Sequence, residues 1–415
     1  MHQHGMRELL SSHERQPHIT MTSSKNYALS QLKRLESLLI HDPLNESLLE
    51  AAFTSAVEAG EWLSAERHLS AGKMNGKNTI SWTLREGHLL LSMKKIAQAE
   101  ILFLSLKSQA DQHHEFSLLI AHNLAHIYFS RGDYSSALRK LREVIPQKIS
   151  DYDIGTSSNK FSAVSPSTWR LLLRTLHHTG DLSEALQIIE KLRPHENIFI
   201  EIASIASAIA LDFNRADYAR EWSSIAIGSD RPENSKIEAF VVRASLLLGH
   251  GDISESRIFA NRALTASPSE GRAYSVLGFI EFSIENFPLA EDFFKKSLQC
   301  NLTHIGTLLG LGWTQLFRES LAPAIASFNS AIDLDRNFGE SYGSLAVAHA
   351  LKGNRDIARE IARRGLKLDS RSLSSSFALA VLDGEIKSRT DLLKFSKQLL
   401  QIHSIPPNNQ TTHSY

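Results

Sequence analysis

One cysteine, Cys300, is all that the 415 residues contain. No intramolecular disulfide can form, which suits a reducing compartment and equally a secreted chain without disulfides. Charge of one sign is lacking too, because 45 Lys and Arg face 45 Asp and Glu. Such a balance gives no global reason to bind nucleic acid or an anionic membrane, though it leaves room for a local patch. Long hydrophobic runs are missing. The first twenty residues, MHQHGMRELLSSHERQPHIT, show neither a secretory signal nor a membrane span, so a cytoplasmic location is the expectation. Met21 offers a second start besides Met1.

Motifs for chemistry are also missing. There is no G-x-x-x-x-G-K-S/T phosphate loop, no H-E-x-x-H and no G-x-S-x-G, and one cysteine cannot make C-x-x-C. GHGDIS at 249–254 contains G-x-G but sits between two helical runs, not after a strand. Histidine is frequent, at 19 residues, with pairs at His113–His114 and His177–His178. Adjacent helical side chains do not face each other, and His122 with His126 lacks a third ligand at matching spacing, so no metal site is expected. The N-L-T at 301–303 and N-Q-T at 409–411 carry no weight without a secretory signal. No paired carboxylates make a case for acid–base chemistry. The expectation is a chain without catalysis and without a cofactor.

What the sequence does have is a period. Ala290, Ala324 and Ala358 are 34 residues apart, with Ser256 one step earlier. Gly278 and Gly312 keep the same interval, as do Phe294 and Phe328, and Ala263, Ser297, Ala331 and Gly365. Upstream, Ala65 pairs with Ala99 and Ala185 with Ala219, with longer steps through Ala137. One phase accounts for all of them. It places nine units beginning near Glu46, Ile80, Leu118, Pro166, Ile200, Ile237, Gly271, Ile305 and Gly339. Five units share a turn phrase, AGEWLSA, RGDYSSA, TGDLSEA, HGDISES and KGNRDIA, in which Gly ends one amphipathic run and a polar residue precedes the next.

The pattern resembles the tetratricopeptide repeat family. Tyr274, Leu277, Gly278, Ala290, Phe294 and Ser297 follow its 34-residue unit, and so do Leu308, Leu311, Gly312, Ala324, Phe328 and Ala331. The resemblance implies an all-α, right-handed α-solenoid of stacked helical hairpins. Small residues at positions 8 and 20 let two helices approach, and large ones at 4 and 24 fill the space beside them. Gly312 is then explained. Gly310, at position 6, is not, unless it admits a ligand or is merely tolerated.

The chain divides accordingly. A flexible tail covers 1–25, and a capping helix covers 26–45. Units one to three cover 46–148, followed by a loop insertion at 149–165. Units four and five cover 166–236 and units six to nine cover 237–372. Capping helices occupy 373–405, before a disordered tail at 406–415. Leu392, Phe395, Leu399 and Ile402 share one stripe of the last helix. That helix either caps the array or lies in its groove and blocks it.

The resemblance places first-helix positions 2, 5, 9 and 12–13 in a concave groove. Two groups of residues fall on or beside them. Arg85, His88, His122, Asn123, His126, Arg170, Arg174 and His177 form a basic group suited to an acidic side chain or a peptide C-terminus. Val241, Phe279, Leu309, Trp313, Phe317 and Val347 form an apolar group suited to a docked segment, unless a neighbouring helix buries them. Trp313 and Phe279, both at position 9, are expected to stack near one another. The Lys–Asn clamp that some relatives use for acidic C-termini is absent, since position 5 holds Leu84, His122 and Arg170. The expected function is a protein-interaction scaffold or adaptor that binds another protein or peptide. Its alternatives are a non-catalytic subunit of an enzyme complex and a peptide-responsive sensor. Homo-oligomer formation through the apolar stripe competes with all three.

Overall fold

The computed structural model describes residues 21–75, 79–110, 114–145, 164–300, 304–386 and 388–404, and every regular element among them is helical. The tail at 1–20, most of the insertion at 149–165 and residues 405–415 lie outside the described residues. Contacts divide the chain into two compact units, residues 1–202 with 230–232 and residues 203–229 with 233–415.

In unit 1, α1 (Met21–Leu39) packs on α2 (Glu46–Ala59). The hairpins are α2 with α3 (Trp62–Met74), α4 (Thr79–Ser92) with α5 (Ile96–Ala110), α6 (His114–Ser130) with α7 (Tyr134–Arg142), and α8 (Pro166–Thr179) with α9 (Leu182–Leu192). Each second helix packs on the first helix of the next hairpin, and α6 also touches α8. Glu36 of α1 ties the first helix to the array. Its carboxylate accepts from Ser64 at 2.5 Å and meets Arg67 at 3.3 Å and His68 at 3.2 Å. Burial alone raises the pKa of this carboxyl, but Ser64, His68 and Arg67 together hold it below its ordinary value.

The division falls within α10 (Glu196–Asp212). In unit 2, α11 (Ala216–Gly228) packs on α12 (Ile237–His250). Then α12 pairs with α13 (Ile253–Ala266), α14 (Gly271–Ser283) with α15 (Phe287–Gln299), α16 (Ile305–Phe317) with α17 (Leu321–Leu334), and α18 (Gly339–Leu351) with α19 (Arg355–Leu368). First helices also touch in succession, α12 to α14, α14 to α16 and α16 to α18. Two further helices follow, α20 (Leu373–Asp383) and α21 (Arg389–Ser404).

The backbone carries the repeat more faithfully than the side chains do. Position 15 of all nine units has a left-handed backbone. Gly60, Gly132, Gly180, Gly251 and Gly353 stand there, and in the other four units Lys94, Asn214, Glu285 and Glu319, with φ between 60° and 65°. A side chain in this conformation costs roughly 1–2 kcal/mol. The hairpin turn therefore outweighs the local preference of four residues. Position 20 is as regular. Ala65, Ala99, Ala137, Ala185, Ala219, Ala290, Ala324 and Ala358 are each 0% exposed, and so is Ser256. Ser256 avoids an unpaired buried hydroxyl by donating to the Ala244 carbonyl at 2.8 Å.

Close approach explains the helical glycines. A Cβ on Gly312 would lie 2.4 Å from the Phe328 ring, one on Gly278 would lie 2.7 Å from Phe294, and one on Gly87 would lie 2.4 Å from Phe103. In these three units a position-24 ring packs against a position-8 glycine. Gly310 serves the neighbouring hairpin. A Cβ there would come within 2.6 Å of Phe294 and 2.9 Å of Phe279. It admits the preceding unit's aromatic pair between helices, so packing accounts for it without a ligand.

Candidate functional site

The apolar group of unit 2 is not a solvent-facing stripe. Val241, Leu309, Trp313, Phe317 and Val347 are buried, and Phe279 is half-buried. Trp313 is 0% exposed, and its indole Nε1–H donates to Ser344 Oγ at 3.2 Å. Trp313 and Phe279 do not pair as expected. Trp313 sets an edge on Phe328 at 6.1 Å, and Phe279 sets one on Phe294 at 4.9 Å. Each thus packs on the position-24 ring of its own unit. Phe317 stacks on Phe287 at 5.1 Å and meets Phe282 at 5.8 Å. The physical reason for the burial is twofold. Part of it is mutual packing of neighbouring first helices. The rest is α21, which packs on α12 and α16 and sets Leu392, Leu393 and Phe395 against this cluster. The side chains of Leu399 and Ile402 lie outside the described residues.

Phe395 is the anchor of that contact. Its ring stacks on Phe377 of α20 at 3.8 Å and tilts against Trp313 at 6.0 Å. Lys397 reaches Glu285 at 2.8 Å, so the helix is also tied to the turn between α14 and α15. A different device fixes α20. Glu340 at the start of α18 is buried, and its carboxylate accepts the backbone N–H of Leu373 at 2.7 Å and of Ser374 at 3.0 Å. A negative charge there complements the exposed N–H groups at a helix N-terminus.

The basic group of unit 1 comes from three successive first helices, α4, α6 and α8. Much of its charge is already answered. Arg85 is 3% exposed, pairs with Glu50 at 2.7 Å, bonds Ser81 and lies over the Trp82 ring at 5.0 Å. Burial lowers its pKa, and the charges of Glu50 and Glu46 resist that. Arg85 is therefore a structural ion pair, not a groove-facing cation. Asn123 is buried and donates to the Leu119 carbonyl at 2.9 Å, so its amide serves its own helix. Arg170 lies 3.9 Å from the buried Glu201, which also pairs with Arg231.

His122 is the centre of this face. Its Nδ1 is 3.0 Å from Thr168 Oγ1 on α8. Burial, then the positive fields of His126, His88 and Arg170, pushes its pKa down to about 3. It is neutral at pH 7 and supplies a hydrogen-bonding group, not a charge. His126 is exposed, while His88, Arg170, Arg174 and His177 are half-buried. His177 meets His178 edge-on at 6.0 Å, and His178 stacks on Tyr134 at 4.2 Å. The acidic partners were missed in the sequence although a signal existed. Glu50 is position 5 of its unit and Glu201 is position 2 of its own, so both sit on the same face as the cations they neutralise.

The hairpin α6–α7 is also the segment that matches a known family. Residues 117–146 fit the tetratricopeptide repeat model. Over this stretch the chain is similar to the tetratricopeptide repeat family. One similar protein is "Tetratricopeptide repeat protein 13" of Homo sapiens, 32% identical over 125 residues, or 30% of this chain. That match spans only 14% of the relative's own length. Among solved structures, YrrB, described as "a TPR protein with an unusual peptide-binding site", aligns at 20% identity with a TM-score of 0.31. It covers 40% of this chain and 84% of its own. MamA aligns at 18% identity with a TM-score of 0.33, covering 42% of this chain and 93% of its own. Among the described residues, no three His, Cys, Asp or Glu side chains cluster to hold a metal ion. No described helix is long and apolar enough to cross a membrane.

Proposed function

We propose that this chain is a non-catalytic scaffold that binds an acidic segment of a partner protein on the first-helix face of unit 1. The observation that carries this reading is the convergence of α4, α6 and α8. His88, His126 and Arg170, from three successive hairpins, all act electrostatically on one imidazole, His122. Side chains from successive repeats form a surface that no single hairpin owns, and such a surface reads an extended segment several residues at a time. A cation that flanks a neutral, hydrogen-bonding histidine suits a carboxylate, which takes a charge-assisted bond from Arg174 and a neutral bond from the ring. Unit 2 offers less to a partner in the resting chain, because α21 lies on the corresponding face.

A quantitative pull-down from the native host tests this with wild type and an Arg174→Glu, His126→Glu double variant. Both side chains are at least partly exposed, so circular dichroism should match wild type. The expected result is a partner lost from the folded variant and progressively lost from wild type as salt rises from 50 to 500 mM. An identical partner set with identical salt dependence overturns the reading.

A further inference from the structure

The last helix does not behave as a member of the array. Every second helix in unit 2 from α13 to α19 packs along the first helix of its own hairpin. α21 instead leaves Gly384, whose φ is 81°, passes through a short connection, and reaches back to α12 and α16. Its start is capped locally, with Ser388 Oγ accepting the Asp391 N–H at 3.0 Å. Its N-terminal cap is therefore supplied by its own segment and not by the array. Its described apolar side chains are only half-covered, although Ser396 beside them is buried. Leu392, Leu393 and Phe395 are each half-buried, whereas Trp313, Leu309 and Val347 beneath them are almost fully buried. One described ion pair, Lys397–Glu285, joins it to the array, and both side chains are substantially exposed.

We infer that α21 is an intramolecular stand-in on a helix-binding face of unit 2, and that this face takes an amphipathic helix of a partner protein in its place. The occupant's chemistry is read from α21 itself. It carries adjacent leucines, then an aromatic residue that enters between Phe377 and Trp313, then a cation two positions on that meets Glu285. A partner helix with Leu-Leu-x-Phe-x-Lys spacing makes the same contacts. While α21 is seated, the face is open in only a fraction of molecules, and the partner's apparent affinity is reduced by that fraction. The proposal concerns unit 2 alone, so its failure leaves the unit 1 reading standing, and the reverse holds too.

The probe is a fluorescein-labelled synthetic peptide of residues 386–404, titrated into full-length protein by fluorescence anisotropy. Phe395→Ala in the full chain unseats the internal copy, and the labelled peptide is expected to bind it about tenfold tighter than wild type. Lys397→Glu in the full chain should tighten peptide binding about threefold to fivefold, with no change to the core. Where Phe395→Ala fails to fold, this second variant carries the test. Hydrogen exchange of the wild-type chain is the second measurement, and amides of α21 should exchange faster than those of α16. Three results overturn the proposal. One is a folded variant that binds the peptide no better than wild type. Another is an α21 that exchanges only as slowly as α16. The third is a stable wild-type dimer by light scattering with α21 traded between copies, which makes a second copy the occupant.

Discussion

Replacing Gly312 by alanine puts two measurable effects in opposition. Alanine is favoured over glycine in a helix interior by about 1 kcal/mol. Against that, the new Cβ would lie 2.4 Å from Phe328 Cε1, 2.7 Å from Cδ1 and 2.8 Å from Cζ. Ordinary contact begins near 3.4 Å, so either ring or helix must yield by about 1 Å. Phe328 is 0% exposed and is edge-packed on Trp313, so it has nowhere to turn. Overpacking of this kind costs about 1–3 kcal/mol. The net expectation for Gly312→Ala is a loss between zero and about 2 kcal/mol. Gly228 is the control within the same unit. It is helical and exposed, and an added Cβ there meets nothing within 4 Å. Gly228→Ala should be neutral or stabilising by up to about 1 kcal/mol. Urea titration by circular dichroism gives both values, and their difference isolates the overpacking at about 1–3 kcal/mol. If Gly312→Ala proves as stable as Gly228→Ala, the close helix approach ascribed to position 8 is wrong.

Three further outcomes are expected. Lys94 is exposed with φ at 60°, so Lys94→Gly should raise stability by about 1 kcal/mol in the same titration. Glu340→Gln weakens two charge-assisted bonds to Leu373 and Ser374. It should cost about 1–2 kcal/mol and speed amide exchange in α20 more than in α16. His122 titrates near 3 when folded and near its ordinary 6.5 when unfolded. Between those values the unfolded chain binds the extra proton, so stability is complete above pH 6.5 and falls as pH is lowered toward 3. The slope from this residue is about 1.4 kcal/mol per pH unit. Melting curves of wild type and His122→Asn from pH 7 to 4 should differ by that slope.

The repeat phase is legible in the sequence because close helix approach demands small residues at fixed intervals. Ala290, Ala324 and Ala358 announce it, and even Ser256 keeps the place. Five turns announce themselves through glycine. The other four are hidden, since Lys94, Asn214, Glu285 and Glu319 adopt the same backbone against their preference, held by the hairpins on either side. For the apolar group the sequence leaves two outcomes open, a docked segment or burial by a neighbouring helix, and the structure shows burial. Trp313 and Val347 follow the pattern of a surface position, and they are covered by packing between neighbouring first helices together with α21, a helix outside the period. The helix itself is recognisable from Leu392 and Phe395, but its destination depends on contacts with α12 and α16, several repeats earlier in the sequence. Arg85 misled for a related reason. Its partner Glu50 lies one repeat earlier, so a count of cations within one unit overstates the charge of the face.

The central claim is that partners meet this protein on the first-helix face of its hairpins. Site-specific photo-crosslinking in the native host tests that most directly. A benzophenone amino acid is placed at His126, at Arg174, and at Ile101, which is 69% exposed on the second helix α5. The account predicts one shared partner crosslinked from 126 and 174 and none from 101. A partner captured from 101 alone, with nothing from 126 or 174, contradicts it.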